Sequence, residues 1–397
     1  MSYTHENQRS GRIMLPDLVR AFALFGIVVV NVAYFAYPGD LTYHAGGLVS
    51  KLDEWSYFLV NTLFLAKSYT LFSFMFGVGI SYQMIAAERR GISFGSSYFR
   101  RMIGLVLIGV AHVSFAFVGD VLIIYGLLGI LLYLFRDSSE QRLRHTGIVL
   151  VIVQIGIVAL LTLIMMAFER FDPAEYAKMI EETNLSAQET KALFSEGGFR
   201  QIMSGRWSEW VEYVLFATPM QAPGVLGFFL LGLASARSSV LTDPSAPIWV
   251  KSRRVYLPLG LVISALGAYL FALSESPLYG DAMLGTLLIF IGAPFSSIGY
   301  IGLIAKWSSG ESAPLKIFFA RGGTSSLTAY VMQSLILSLV FCGYGLGMFG
   351  QLSAAFCILI ALATGLVTIL FSSLWRTKFK RGPLEELLRR WTYLRSY

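Results

Sequence analysis

The sequence predicts an all-α, polytopic membrane protein with about ten transmembrane helices. Three observations lead there. Charged residues make up only 14% of the 397 residues while hydrophobic ones make up 55%; a water-soluble domain carries about 25% charged residues. The mean hydropathy is +0.64. Apolar stretches of roughly 20 residues, the length that crosses a bilayer, recur along the whole chain. This composition excludes an ordinary soluble enzyme and a disordered chain. The net charge of +7 does not point to nucleic acid, because Lys and Arg of a membrane protein collect in its cytoplasmic loops.

Ten segments carry the pattern: 17–37, 55–86, 102–118, 121–135, 146–167, 210–236, 255–273, 282–305, 323–343 and 353–375. The second is too long for one straight crossing and is expected to bend, or to begin as an interfacial stretch before Lys67. The fourth is short and must lean on its neighbours. Lys and Arg alternate from loop to loop. Segment 87–101 has Arg89, Arg90, Arg100 and Arg101, 136–144 has three such residues, 237–254 has four, 306–322 has three, and the tail from 376 has seven; loop 38–54 has only Lys51, and the turns at 119–120, 274–281 and 344–352 have none. That alternation predicts ten spans with both termini in the cytoplasm.

The chain thus divides into five first helices (1–167), a polar extracytoplasmic loop (168–209), five last helices (210–375) and a basic tail (376–397). The loop holds Glu175, Glu181, Glu182, Glu189 and Glu196, and reads either as a partly helical outer cap or as a solvated linker. Asp17 and Arg20 in the first span, with no small-residue cleavage site, argue against a removable signal peptide. The tail from Pro383 to Tyr397 places Leu384, Leu387, Leu388 and Trp391 at helical spacing with Arg389 and Arg390 between them, which predicts an amphipathic helix on the cytoplasmic membrane surface. No internal repeat is visible. Cys342 and Cys357 sit near the outer ends of adjacent spans; a disulfide is within geometric reach, and two buried thiols are the expectation.

Ionisable groups inside a span are costly, so each is a functional candidate. Arg20 and Asn31 lie eleven residues apart, three helical turns, on one face of the first helix; Arg20 can equally pair with Asp17 at the interface. Lys67 interrupts the second segment; an ammonium there needs a carboxylate, a carbonyl or a water-filled cavity, and reads either as binding an anionic substrate group such as a phosphate or as the structural partner of a buried acid. His112 is the one histidine well inside a span. It lies eight residues before Asp120, in a run whose Gly119-Asp120 turn is too tight for a real loop, with Tyr125 just beyond. A histidine there is a candidate general base. Asp120 can orient it, bind substrate, or cap the following helix. His44, in the first outer loop, is a second candidate base; His5 and His145 look terminal and interfacial. The small, polar run from Arg321 to Gln333 offers Tyr330 and Gln333 to line a cavity. Gln154, Glu209, Glu212 and Gln221 are weaker candidates. No metal-ligand spacing, dinucleotide fingerprint, haem pair or Gly-x-Ser-x-Gly elbow is present.

Asp17-Leu-Val-Arg20 through Asn31, Lys67 through Gly79, His112 through Gly126, Gly323 through Gln333, and the tail Arg381-Gly-Pro-Leu-Glu385 with Arg389-Arg-Trp-Thr-Tyr393 resemble the YeiB-like bacterial membrane proteins, a family built on a domain of unknown function. Those proteins are similar to a wider group of transmembrane acyltransferases, among them enzymes that modify sugars. The resemblance implies a bacterial inner-membrane enzyme that moves an acyl group from cytoplasmic acyl-CoA to an acceptor on the outer side, a surface glycan or small molecule. Several sugar-modifying members carry a histidine where Asn31 stands; another branch keeps Asn and uses a histidine in the following outer loop, where His44 matches by location only. His112 matches the YeiB-like motif itself. The implied roles are His112 as base, Asp120 behind it, and Arg20, Asn31, Lys67, Tyr125, Tyr330 and Gln333 around the substrates. No cofactor is expected to be bound permanently and no nucleic acid is involved. The bilayer is a partner, and a homo-oligomer is compatible. The rival expectations are a small-solute transporter or channel, and a non-enzymatic membrane assembly or lipid-binding protein.

Overall fold

A computed structural model describes residues 14–310 and 313–394, so His5, Arg395 and Tyr397 lie outside it. The described residues form helices and no strands. In chain order they are α1 (Leu15–Ala36), α2 (Lys51–Leu63), α3 (Lys67–Glu88), α4 (Phe94–Phe115), α5 (Leu122–Tyr133), α6 (Glu140–Phe171), α7 (Pro173–Glu196), α8 (Phe199–Arg237), α9 (Pro247–Lys251), α10 (Leu257–Leu273), α11 (Gly280–Ser309), α12 (Pro314–Gly323), α13 (Ser326–Phe341), α14 (Ala354–Lys378) and α15 (Pro383–Thr392).

Eight stretches among the described residues are long and apolar enough to cross a membrane: α1, α2 with α3, α4, α6, α8, α9 with α10, α11 and α14. Two expected spans differ from a straight crossing. Helix α5 has 12 residues, about 18 Å at 1.5 Å per residue, against a hydrocarbon core of about 30 Å. The pair α12 and α13 is bent by 80° at its break. The long second segment also breaks, at Phe64–Ala66, where Ala66 takes a left-handed conformation with φ of 64° and Lys67 opens α3.

Close helix contacts follow the glycines. A side chain at Gly77 would collide with the Phe229 carbonyl, and one at Gly232 with that of Phe74, so α3 and α8 touch backbone to backbone. Exposed Leu, Ile, Phe and Val side chains cover the outside of the bundle, as a lipid-facing surface requires.

Segment 168–209 is helical. α6 runs on to Phe171, Asp172 caps α7 by accepting from Glu175 N, and α8 starts after the Gly197-Gly198 turn. Phe194 and Ile202 pack with Cys342 and Phe349, against Val118 and Tyr344. This cap covers one end of the bundle. The tail lies at the other, where α15 docks one face on the protein. Leu388 is buried against Gly104 of α4, and Trp391 Nε1 donates to the Arg100 carbonyl at 2.7 Å. The Glu385 carboxylate accepts from Leu327 N at 2.7 Å, Thr328 N at 3.1 Å and Thr328 Oγ1 at 2.6 Å, so a tail residue caps the orphan N–H groups of α13. Both cysteines are free and buried.

Candidate functional site

The site grows from the hairpin between α4 and α5. Helix α4 ends at Phe115, the chain turns within 116–121, and α5 begins at Leu122. Gly109 makes the turn back possible: a Cβ there would stand 2.8 Å from Ile123 N and 2.9 Å from an Asp120 carboxylate oxygen. The fold-back brings the Asp120 Oδ1 to 2.8 Å from His112 Nδ1, with both side chains fully buried. The other oxygen, Oδ2, accepts from Ile123 N at 2.8 Å. One carboxylate therefore does what two readings of the sequence offered as alternatives, orienting the histidine and capping α5.

The hydrogen bond decides the chemistry. A carboxylate oxygen accepts, so Nδ1 carries the proton; when the ring is neutral, Nε2 is then the nitrogen with the lone pair. Nε2 is buried with no partner. Beside it the Tyr330 ring packs at 4.9 Å between centroids, and its hydroxyl lies near the Val121 backbone without completing a hydrogen bond. Phe117 closes another side, edge-on at 6.2 Å. Both His112 Nε2 and the Tyr330 hydroxyl are buried without completing a hydrogen bond, which is uncommon in a packed interior.

Other polar residues stand around this centre. Tyr125 and Ser73 share a hydrogen bond at 2.6 Å. Gln154 Nε2 donates to Tyr69 OH at 3.0 Å. Gln333 Nε2 donates to Thr368 Oγ1 at 3.2 Å while its carbonyl oxygen has no partner. Asn31 is half-buried on α1, three residues before Tyr34.

Three expected residues lie elsewhere. Arg20 Nη1 pairs with Asp17 Oδ1 at 3.1 Å. Lys67 is 1% exposed and donates to the Asn61 carbonyl at 3.2 Å, in the last turn of α2, where a cation suits the helix dipole; among the described residues no carboxylate stands within 4 Å of it, so the buried acid offered as its partner is not there. His44 sits in a short 3-10 turn at Thr42–Ala45, edge-on to Tyr57 at 5.8 Å and Phe271 at 5.3 Å. Its burial lowers its pKa, opposed by nearby carbonyls of Phe271, Leu41 and Ser274. Among the described residues no group of three His, Cys, Asp or Glu is placed to hold a metal ion.

Two residues escaped the sequence reading. Arg206 on α8 is 1% exposed. It donates to Ser338 Oγ at 2.6 Å, Tyr344 OH at 2.7 Å, Cys342 Sγ at 3.2 Å and the Ser114 carbonyl at 3.5 Å, pinning the cap to α4 and α13. Tyr213, two turns further along α8, lies within electrostatic reach of Tyr34, Asp120 and Tyr69.

Fold and site together define a polytopic helical membrane protein with a buried His–Asp pair under a helical cap. The chain belongs to the YeiB family. It is 30% identical to the uncharacterized protein YeiB of Escherichia coli (strain K12), over 95% of each chain. It is 29% identical to the uncharacterized protein YxaH of Bacillus subtilis (strain 168), covering 99% of this chain and 97% of the relative. A third relative, an uncharacterized 39.9 kDa protein from Bacillus acidopullulyticus, is 25% identical over 97% of this chain. Residues 235–395 match the family described as "Protein of unknown function (DUF418)". No solved structure matches.

Proposed function

We propose that this protein is a membrane acyltransferase of the bacterial cytoplasmic membrane, with ten membrane passages, counting α5 and the bent α12–α13, and both termini in the cytoplasm. It moves an acyl group from cytoplasmic acyl-CoA to the hydroxyl or amine of an acceptor on the outer side. The observation that carries the reading is the buried His112–Asp120 pair, whose Nε2 has no partner and whose ring packs against that of Tyr330.

In this reading the acceptor's O–H or N–H gives its proton to His112 Nε2 as its oxygen or nitrogen attacks the thioester carbonyl. The new C–O or C–N bond forms, the C–S bond breaks, and the departing CoA sulfur takes the proton back from the imidazolium. Asp120 holds the tautomer and stabilises the transient positive charge. The Tyr330 hydroxyl donates to the carbonyl oxygen as it becomes negative. Tyr125, Asn31 and Gln333 line the way for the substrates. Arg20, at the tail end, meets the diphosphate of CoA, and Lys67 offers a second positive charge within the bundle. A general base of this kind supplies about 10²–10⁴ in rate.

The test is binding before turnover. Acetyl-CoA is expected to raise the melting temperature of the detergent-purified protein more than free CoA does, and Arg20→Ala to remove the part due to the nucleotide. No stabilisation by any CoA derivative, together with solute counterflow in proteoliposomes, would move the reading to a small-solute transporter, for which the buried Lys67 without a carboxylate is the supporting observation.

A further inference from the structure

A cavity of about 480 Å³ opens between the turns at 46–53 and 350–356, and none of the residues around His112 lines it. Helix α2 starts on one side of it and α14 on the other. Ala354 N donates to the Gly47 carbonyl at 2.9 Å and Ala355 N to Asp53 Oδ1 at 2.9 Å, which ties the two starts together. The cap borders the cavity: a Cβ at Gly350 would stand 2.5 Å from Lys191 Cε. From here α2 and α14 run off in contact with each other. Leu52, Trp55 and Leu59 form an exposed stripe on α2, and Phe356 and Leu359 one on α14. Stripes of this kind face acyl chains, and an exposed Trp near a helix start suits the membrane–water interface.

The polar groups that line the cavity have spent their donors inside the protein. Tyr37 OH donates to the Leu352 carbonyl at 2.7 Å, Ser50 Oγ to Asp53 Oδ2 at 2.6 Å, and Gln351 Nε2 to the Gly347 carbonyl at 2.7 Å. The backbone N–H groups of Gly350 and Gln351 serve the carbonyls of Ala36 and Met348. What remains is acceptors: the Gln351 carbonyl oxygen and the Ser50 hydroxyl oxygen, which the buried Asp53 carboxylate polarises. Among the described residues Asp53 is the one ionisable acid of the lining, and no Lys, Arg or His joins it there. Lys51, next to Ser50, is paired with Glu54 at 2.7 Å. A lining of this kind suits a ligand that brings its own N–H donors and a positive charge.

We propose that this cavity is a membrane-lipid site for a phospholipid whose head ends in a primary ammonium. The ammonium donates to Ser50 and Gln351 in the field of Asp53, and the acyl chains lie along the stripes of α2 and α14. The same lining disfavours a head that carries net negative charge. The site stands apart from the His–Asp pair, and its occupation does not rest on the acyl-transfer reading.

Three phospholipids with identical acyl chains separate the head groups: phosphatidylethanolamine, phosphatidylcholine and phosphatidylglycerol. Each is titrated into the delipidated, detergent-purified full chain, and native mass spectrometry reads the fraction of protein that carries one lipid. Phosphatidylethanolamine is expected to be held about fivefold or more tightly than phosphatidylcholine, which has the same net charge and chains but no N–H; that is the gain one partly exposed charged contact supplies. Phosphatidylglycerol is expected to be held more weakly than phosphatidylethanolamine. The preference should vanish in the Ser50→Ala, Gln351→Ala double variant. Ser50 also caps α2, so Gln351→Ala alone, at an exposed position, serves as a well-folded second variant with a reduced preference. Val49→Trp, at the exposed rim, should fill the mouth and lower retention of phosphatidylethanolamine to the level of phosphatidylcholine. Equal retention of the ethanolamine and choline lipids, stronger retention of the glycerol lipid, or a preference that survives both the double variant and Val49→Trp would overturn the proposal.

Discussion

Replacing Asp120 by Asn tests the site at the atom that organises it. Both carboxylate oxygens accept, one from His112 Nδ1 at 2.8 Å and one from Ile123 N at 2.8 Å. An amide has only one oxygen. If that oxygen faces His112, the amide NH₂ confronts Ile123 N–H and the α5 cap is lost, a donor left unmet at a cost of about 1–3 kcal/mol. If it faces Ile123, the NH₂ donates to Nδ1, the imidazole adopts the other tautomer, and Nε2 carries a proton where a base is needed. In the serine-protease triad the equivalent change costs about 10⁴ in turnover; a drop of about 10²–10⁴ is expected here. The assays are the initial rate of acyl transfer and the melting temperature of the purified variant. Asp120→Asn should lose most activity, lose stability, or both. Wild-type rates at wild-type stability would refute the assigned hydrogen bonds and the role of His112 together.

Three further predictions follow from the same geometry. Gly109→Ala should destabilise by about 1–3 kcal/mol, because its Cβ meets Ile123 N and an Asp120 oxygen inside 3 Å and the helices must part; thermal unfolding measures it. Glu385→Ala should cost about 1–3 kcal/mol by stripping three donors at the start of α13, and limited proteolysis should then release the tail. His44, its pKa lowered by burial, binds a proton more readily unfolded than folded. Its contribution is therefore complete above its ordinary value, about 6.5, and lost as pH falls below that; a His44→Phe variant should show a shallower loss of melting temperature across that acid range.

The alternation of Lys and Arg between loops exposed most of the helices, because bilayer-length apolar runs and basic loops are written directly in composition. The hairpin was legible too: Asp120 follows His112 by eight residues, with no room for a loop, which leaves few ways to close the turn. What local pattern could not show depended on distant partners. Glu385 lay in a tail read as an amphipathic surface helix, and its work as the cap of α13 joins residues 57 positions apart. Arg206 sat in a segment read as polar cover, and its burial depends on Ser338, Cys342 and Tyr344, more than 130 positions away. Lys67 was marked as an ammonium in need of a carboxylate, a carbonyl or a water-filled cavity; which of these it meets depends on the break at Ala66, which supplies the Asn61 carbonyl. The fourth segment was read as short and in need of its neighbours, and α5 has 12 helical residues.

The most direct measurement uses proteoliposomes with radiolabelled acetyl-CoA on the side of the basic tail and a mixture of amine and hydroxyl acceptors on the side of the cap. The account predicts labelled product on the cap side with the wild-type protein and a loss of about 10²–10⁴ in rate with His112→Ala. Full transfer by His112→Ala, or label that stays on CoA while solute crosses the membrane, would contradict it.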